Sequence, residues 1–221
     1  MRSVIIDGVK VLVEEADSYL QINDVCGTDL GRIWEHIKTD YRTYDKWICY
    51  HNTEVPLAAL NEIDAVLEDN SVEMRVDIGK IVDPETPGID QVTEDNFDDF
   101  AAYHDINNPD MFWTSERIRR DLSRWVIYTT RKNNRISGYV LMSLWDPIQA
   151  EIYCINASDR AQCDLLITCA VRYASESGKK EVLFMADENE IGYEAALSIG
   201  FAVTGFYRGY VVKRTSHPVV Q

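Results

Sequence analysis

Two stretches of the chain carry the same order of landmarks at a nearly constant distance, and this constrains the fold more than any single motif does. Each stretch predicts a strand, a helix, a second strand, an asparagine, a short helix and a hairpin. Three landmark pairs, Asp29/Asp164, Asn52/Asn189 and Ile63/Ile199, are separated by 135, 137 and 136 positions. Because three elements share the spacing, the sequence predicts that one α/β unit was used twice. The alternative is an unrelated α/β module whose spacing matches by chance.

The net charge of the chain indicates which classes of binding partner to expect. The 221 residues include 22 basic and 37 acidic side chains, which gives a formal net charge of −15. Nucleic acids and anionic membranes attract basic surfaces, so neither is expected as a partner. An acidic surface suits a cationic small molecule, or it simply keeps the chain in solution.

The cysteines and histidines predict neither a disulfide framework nor a metal site. The five cysteines form no Cys-x-x-Cys pair, and the four histidines are scattered. Buried thiols in a reducing cytoplasm are the expectation. His104, near a predicted helix end, is expected to be a surface histidine. The sequence also contains no apolar run long enough to span a bilayer and no recognisable signal peptide, which again predicts a cytoplasmic protein.

The strongest break in the chain is Asp83–Gly88, where two prolines and a glycine fall within six residues. We therefore expect an α/β segment over 1–83, a linker over 84–88 and a second domain over 89–215. In the first segment, residues 66–67 and 72–78 predict a closing hairpin.

The residue pattern of the second domain predicts the order strand, helix, helix, strand, strand, strand, helix, strand, helix, hairpin. This order favours an α/β layer with an antiparallel start and a parallel strand pair around Ile152 and Leu183.

Four local features follow one another in this second domain. They are Asp98–Phe100 with Asn108–Asp110, Trp113 and Trp125–Tyr128; Arg135–Val140; Asp159–Asp164; and Asn189 with Gly200–Phe201. In this order, residues 89–212 resemble the GNAT (Gcn5-related N-acetyltransferase) superfamily. The resemblance implies a GNAT-like α/β fold, a mixed central sheet flanked by helices. It also implies that 1–83 is a truncated copy, which would cover the sheet of the complete copy or of a second chain in a homodimer.

The resemblance implies acetyl-CoA as cosubstrate, and the scattered histidines predict no metal. A splayed strand would offer backbone partners to the pantetheine amides, and a loop entering a helix N-terminus would hold the diphosphate. The residues placed there are Cys154, Ile155, Asn156, Ala157, Arg160, Ala161, Gln162, Cys163, Asp164, Leu165 and Asn189. Family members usually carry small residues where this chain has Cys163 and Leu165, and Asp164 adds a negative charge. The other interpretation of 159–165 is a helix cap, from Ser158 or Asp159, followed by the first helical turn.

The implied chemistry is direct transfer of an acetyl group to the amine of a small molecule, with a base and an acid. Glu151 is the candidate base, or else a solvated glutamate at a strand end. The acid of the family is often a tyrosine seven residues after the asparagine, where this chain has Ala196. Tyr193, one turn earlier, is the candidate substitute and Tyr207 is the alternative; the other interpretation of each is a packed core tyrosine. The residues Tyr103, Phe112 and Trp113 would wall the acceptor cleft or pack in the core.

Two other functions fit the same residues. One is a catalytically inactive GNAT-like module that binds a ligand or assembles with a partner. The other is a structural protein built from two sheets.

Overall fold

The computed structural model describes residues 2–15, 18–80, 89–109, 111, 113–188 and 190–213. The chain divides into two compact units. The first unit comprises residues 1–71 and 205–221, and the second comprises residues 72–204. The predicted linker, 84–88, lies outside the described residues. The bounds between the two compact units, 71/72 and 204/205, fall within two long strands.

The helices and strands follow the predicted order closely. In the described part of the chain, the α-helices and strands begin in the order β1 Arg2–Ile6, β2 Val9–Glu14, β3 Tyr19–Asn23, α1 Gly27–Asp40, β4 Asp45–His51, α2 Leu57–Glu62, β5 Val66–Asp77, β6 Ile89–Gln91 and α3 Phe97–Asn107. The remaining elements are α4 Ser115–Arg120, β7 Trp125–Lys132, β8 Arg135–Ser143, β9 Gln149–Asn156, α5 Arg160–Glu176, β10 Glu181–Ala186, α6 Ile191–Ile199 and β11 Ala202–Val212.

The first unit is a mixed sheet with the strand order β1-β2-β3-β4-β11. β1, β2 and β3 are antiparallel, β3 and β4 are parallel, and β4 pairs antiparallel with the last six residues of β11. The α1 helix buries Leu30, Ile33 and Ile37 against this sheet, at the three- and four-residue spacing of one helical face. That apolar face is the reason why the segment folds as predicted.

The second unit is a mixed sheet with the strand order β5-β10-β9-β8-β7-β6. The predicted parallel pair is confirmed, since Ile152 of β9 lies opposite Phe184 of β10. One face of the sheet packs against α5 through a core that includes Met142 and Leu166. The other face packs against α3 and α4 through Phe100 and its neighbours. A mixed central sheet flanked by helices is therefore confirmed.

Two predicted hairpins are wrong, because each is a single long strand. β5 runs without a break through the polar stretch Glu68–Ser71, and β11 runs on through Gly205 and Gly209. In β5, residues Val72 to Asp77 pair fully with β10. Pairing with neighbouring strands thus outweighs the local turn preference of polar residues and glycine.

The two units end their short helices in the same way. Asp64 follows α2 with a φ of 55°, and Gly200 follows α6 with a φ of 110°. The next residue in each case donates its backbone N–H to the carbonyl five residues earlier, Ala65 to Leu60 and Phe201 to Ala196, both at 3.0 Å. Such a left-handed residue stops the helix and satisfies a terminal carbonyl.

Among the described residues, no helix combines the length and the apolar character needed to cross a bilayer.

Candidate active site

A cleft opens in the second unit where β9 and β10 separate. Their parallel pairing runs from Gln149 opposite Glu181 to Ile152 opposite Phe184, whereas β9 continues to Asn156. The cleft has a volume of about 500 Å³. It is lined by Asn108, Tyr153, Cys154, Ile155, Asn156, Ala157, Cys163, Phe184, Met185, Glu190, Ile191 and Gly192. These residues come from both sides of the sheet, so the cleft leads from the α5 face to the α3 face.

The corresponding strands of the first unit stay together. β3 is paired with β4 over its whole length, to Asn23 opposite Cys49. Just beyond, the Asp24 carboxylate accepts hydrogen bonds from the backbone N–H of His51, at 2.8 Å, and from the hydroxyl of Thr53, at 2.7 Å. These bonds hold the ends of β3 and β4 together, at the position that corresponds to the cleft of the second unit.

A β-bulge on β9 arranges the floor of the cleft. Leu141 of β8 lies opposite Cys154 and Met142 lies opposite Ile152, so the register skips Tyr153. A bulge changes the alternation of side chains. As a result Cys154 lies on the same face as Glu151, which is opposite Ser143. The bulge is thus the reason why this strand presents several functional groups on the α3 face.

A buried hydrogen-bond network includes the thiol of Cys154. The Tyr139 hydroxyl lies 2.7 Å from Nδ1 of His104, 2.9 Å from the donating amide of Asn108 and 3.2 Å from Sγ of Cys154. His104 Nε2 lies 2.8 Å from the carbonyl oxygen of Trp113. A carbonyl only accepts, so Nε2 donates to Trp113, and the Tyr139 hydroxyl can donate to Nδ1. Burial raises the pKa of the Tyr139 hydroxyl and of the Cys154 thiol.

The prediction of a surface histidine at position 104 is wrong, because His104 is fully buried. It follows Phe97 and Phe100 on the same apolar face of α3, at helical spacing. This helical spacing indicates burial. A buried histidine requires hydrogen-bond partners such as Tyr139.

Glu151 lies one residue before Ile152, the last position of β9 that pairs with β10, and it is hydrogen-bonded to Tyr153, which lines the cleft. The Tyr153 hydroxyl is hydrogen-bonded to the Glu151 carboxylate. Burial, together with the negative charge of Glu151, raises the pKa of the Tyr153 hydroxyl, which therefore keeps its proton at neutral pH. The side chain of Tyr153 is thus a functional group that the sequence did not single out, since a bulge leaves no mark in the residue pattern.

The N-terminus of α5 is capped by the chain itself. The Asp159 carboxylate accepts a hydrogen bond from the backbone N–H of Gln162 at 2.9 Å, and the side chain of Gln162 accepts one from the N–H of Ser158 at 2.6 Å. The amide of Gln162 also donates to the hydroxyls of Thr130 and Ser137, at 2.6 and 3.0 Å. The interpretation of this segment as a helix cap with a first turn therefore describes its geometry.

Arg160 is engaged away from the cleft. Its guanidinium bonds Asp164 at 2.7 Å and Glu194 at 3.3 Å, and it also donates to the backbone carbonyl of Glu194 at 2.8 Å. The hydrogen bond to Asp164 raises the pKa of Arg160. Burial and the charge of Asp164 raise the pKa of the Cys163 thiol to about 11. A diphosphate at this helix end would meet several carboxylates and a guanidinium already in use.

Gly138 on β8 allows the strand end and the helix start to approach each other. A Cβ at this position would lie 2.6 Å from the carbonyl oxygen of Asn156 and 2.9 Å from the side chain of Gln162. Only glycine avoids this overlap. The side-chain oxygen of Asn156 accepts a hydrogen bond from Tyr103 at 2.9 Å, which ties the same strand end to α3.

The structure brings part of the predicted site together. Five of the predicted residues line the cleft, namely Cys154, Ile155, Asn156, Ala157 and Cys163. The predicted loop residues Arg160, Ala161, Gln162, Asp164 and Leu165 form the first turns of α5 beside it. Tyr193 is half-buried against the apolar core. Asn189 and Phe112 lie outside the described residues.

No group of three or more histidine, cysteine, aspartate or glutamate side chains that could hold a metal ion occurs among the residues that the structure describes.

Comparison with known proteins gives a clear answer for the fold. The sequence matches no protein-family model and no curated protein. A functionally unknown conserved protein from Staphylococcus epidermidis is similar, with a TM-score of 0.71, 11% identity and coverage of 97% of this chain and 94% of that chain. A GCN5-related N-acetyltransferase from Kribbella flavida gives a TM-score of 0.70 at 12% identity, with 98% and 90% of the two chains covered.

A third similar structure is a tandem GNAT protein from the clavulanic acid biosynthesis pathway. Its TM-score is 0.59 at 10% identity, with 95% of this chain and 79% of that chain covered. The TM-scores establish the fold, whereas identities this low leave the activity open. The chain therefore has the fold of the GNAT acetyltransferases.

Proposed function

We propose that the protein is an N-acyltransferase that moves an acetyl group from acetyl-CoA to the amine of a small molecule. The observation that carries this proposal is the gap between β9 and β10, with Glu151 beside it. Past Ile152, β9 is no longer paired with β10, and residues 153–157 line the cleft. This supports a role for their backbone N–H and C=O groups in bonding the two amides of a pantetheine arm. The thioester would then reach the α3 face, where Glu151 and Tyr153 lie.

The proposed transfer is direct. Glu151 accepts a proton from the ammonium group of the acceptor, and the free amine nitrogen attacks the thioester carbonyl. The C–N bond forms and the C–S bond breaks. Glu151 passes its proton to solvent, the new amide nitrogen returns its surplus proton to the acid, and the thiolate leaves with the proton that the acid supplied. We assign this proton to Tyr153, which lines the cleft and is hydrogen-bonded to Glu151, in preference to Tyr193, which packs against the core.

The nucleotide end of the donor is expected to contribute little to binding. Asp159 already occupies the α5 N-terminus, and a negative cap there competes with a phosphate for the same N–H groups. Asp164, Glu190 and Glu194 add further negative charge around the helix start, against one guanidinium, that of Arg160. Recognition would therefore rest on the pantetheine arm and the acyl group.

The same cap favours a second candidate function, a catalytically inactive GNAT-like module that binds a ligand or partner. If the diphosphate is repelled strongly enough, acetyl-CoA does not bind and the cleft serves another molecule.

The first unit is proposed to be a truncated second copy of the same α/β module. The matching helix ends, the parallel pair β3–β4 and the tandem architecture of a similar protein support this. Its strands are closed by Asp24, so it is assigned a covering role, over the complete copy or over a second chain in a homodimer. For the whole chain, a cytoplasmic location fits the five free thiols.

A transfer assay tests the proposal. The purified chain is incubated with acetyl-CoA and a panel of primary amines, and free thiol and acetylated amine are both measured. We expect turnover with at least one amine. Acetyl-pantetheine should support a kcat/KM within about tenfold of acetyl-CoA, because the nucleotide gains little at the capped helix. Absence of transfer with either donor at millimolar concentration would leave the inactive module as the function.

A further inference from the structure

Three of the chain's five tryptophans lie together beside Glu151. Trp113, Trp125, Trp145 and Tyr153, which we call the aromatic wall, contact one another edge to face. The ring centroids of Trp113 lie 5.0 Å from those of Trp125 and 5.5 Å from those of Trp145, and Tyr153 lies 5.3 Å from Trp125. The cluster brings together bulky rings from separate parts of the chain.

The strand register explains why the aromatic wall meets the carboxylate. Trp125 of β7 lies opposite Ser143 of β8, and Ser143 lies opposite Glu151 of β9. Residues directly opposite each other in antiparallel strands project from the same face of the sheet. Trp125, Ser143 and Glu151 thus form one row across three strands. Tyr153 joins them through the bulge.

The aromatic wall is open to solvent at one side. Trp125 is 5% exposed, whereas Trp145 is 48% and Tyr153 37% exposed. Large parts of the Trp145 and Tyr153 rings are therefore accessible, and their burial by a ligand would be favourable. Tyr153 also lines the cleft. The exposed rings therefore form a surface that a ligand in the cleft can contact.

The aromatic wall already holds one cation of the chain. The guanidinium of Arg124 lies 5.4 Å from the centroid of the Trp145 ring. The face of an aromatic ring attracts cations at such distances. Arg124 is itself exposed, so its contact with this face can be exchanged for a contact with a ligand.

We propose that the aromatic wall and Glu151 form a site for an organic ammonium cation. The rings attract the alkylated, weakly hydrated part of such a cation, and the Glu151 carboxylate attracts its charge. The net charge of −15 draws cations to the protein in general. That this cation is the amine acceptor rests on the proposed function, and it makes the acceptor an alkylammonium compound rather than a neutral arylamine.

Binding can be measured without any acyl donor, so the outcome is separate from that of the transfer assay. Choline serves as a probe that cannot be acylated on nitrogen, and 3,3-dimethyl-1-butanol serves as its neutral isostere. Both are titrated into the full chain while tryptophan fluorescence and calorimetric heat are recorded. We expect choline to bind about tenfold more tightly than the neutral isostere.

Three variants locate the site. Trp145→Leu should weaken choline binding by about tenfold, and Trp34→Leu, which changes a tryptophan of the first unit, should leave it unchanged. Arg124→Gln removes the competing guanidinium and should tighten binding. Equal affinity for the two probes, no binding of choline, or undiminished binding in Trp145→Leu would overturn the proposal. Choline binding in a chain that transfers no acetyl group would uphold the cation site and refute only the enzymatic role.

Discussion

Glu151→Gln is expected to lower kcat/KM for acetyl transfer by about 10²–10⁴-fold, the usual contribution of a general base. The amide keeps the size of the side chain and can still accept a hydrogen bond from Tyr153, but it cannot take a proton from the acceptor ammonium. The loss of the base should lower kcat, and the loss of the carboxylate that attracts the acceptor ammonium should raise KM for the amine. KM for acetyl-CoA should stay the same, because the cleft that holds the donor is unchanged.

A matched control distinguishes the loss of the catalytic base from the mere loss of one negative charge. Glu116→Gln removes an equally negative but exposed side chain from α4, and we expect its kinetics to match the unmodified protein. Thermal unfolding of both variants checks that the fold is retained. Unchanged turnover in Glu151→Gln would remove Glu151 as the base and assign the role to another group.

Tyr139→Phe should lower the free energy of unfolding by about 1–3 kcal/mol, because it leaves buried polar groups without their partner. The lost hydroxyl bonds His104, Asn108 and Cys154, all packed around the α3 face of the sheet. His104 is fully buried, so water cannot replace the bond to Nδ1. The change removes one oxygen atom and creates almost no cavity.

Urea unfolding monitored by circular dichroism measures this effect. Tyr173→Phe, at a half-buried tyrosine on α5, is the control and should change the free energy of unfolding by less than about 0.5 kcal/mol. A Tyr139→Phe protein as stable as the control would mean that the network adds nothing to stability.

The residue pattern was enough to predict the sheet with its flanking helices, because the apolar faces are regular. The α1 face of Leu30, Ile33 and Ile37 is one example, and the parallel pair around Ile152 and Leu183 is another. The long strands β5 and β11 were not predictable in this way. Their course depends on pairing with distant strands, which local turn preferences do not reveal.

The candidate site was predictable only as a region. Backbone positions 154–157 follow from the family resemblance, and they do line the cleft. The bulge at Tyr153 and the burial of His104 depend on contacts between residues far apart in the sequence. The role of Asp159 was open between two interpretations, since an aspartate before a helix reads equally well as a cap and as part of a loop.

Calorimetric titration of the chain with acetyl-CoA tests most directly whether the gap between β9 and β10 receives a thioester arm. We predict binding in the micromolar to submillimolar range for the unmodified protein. Ala157→Phe, which places a ring in the cleft lining, should abolish it, while Ser175→Phe, at an exposed position near the C-terminal end of α5, should not. No heat and no thermal shift at millimolar acetyl-CoA, or equal binding by the Ala157→Phe variant, would contradict the account.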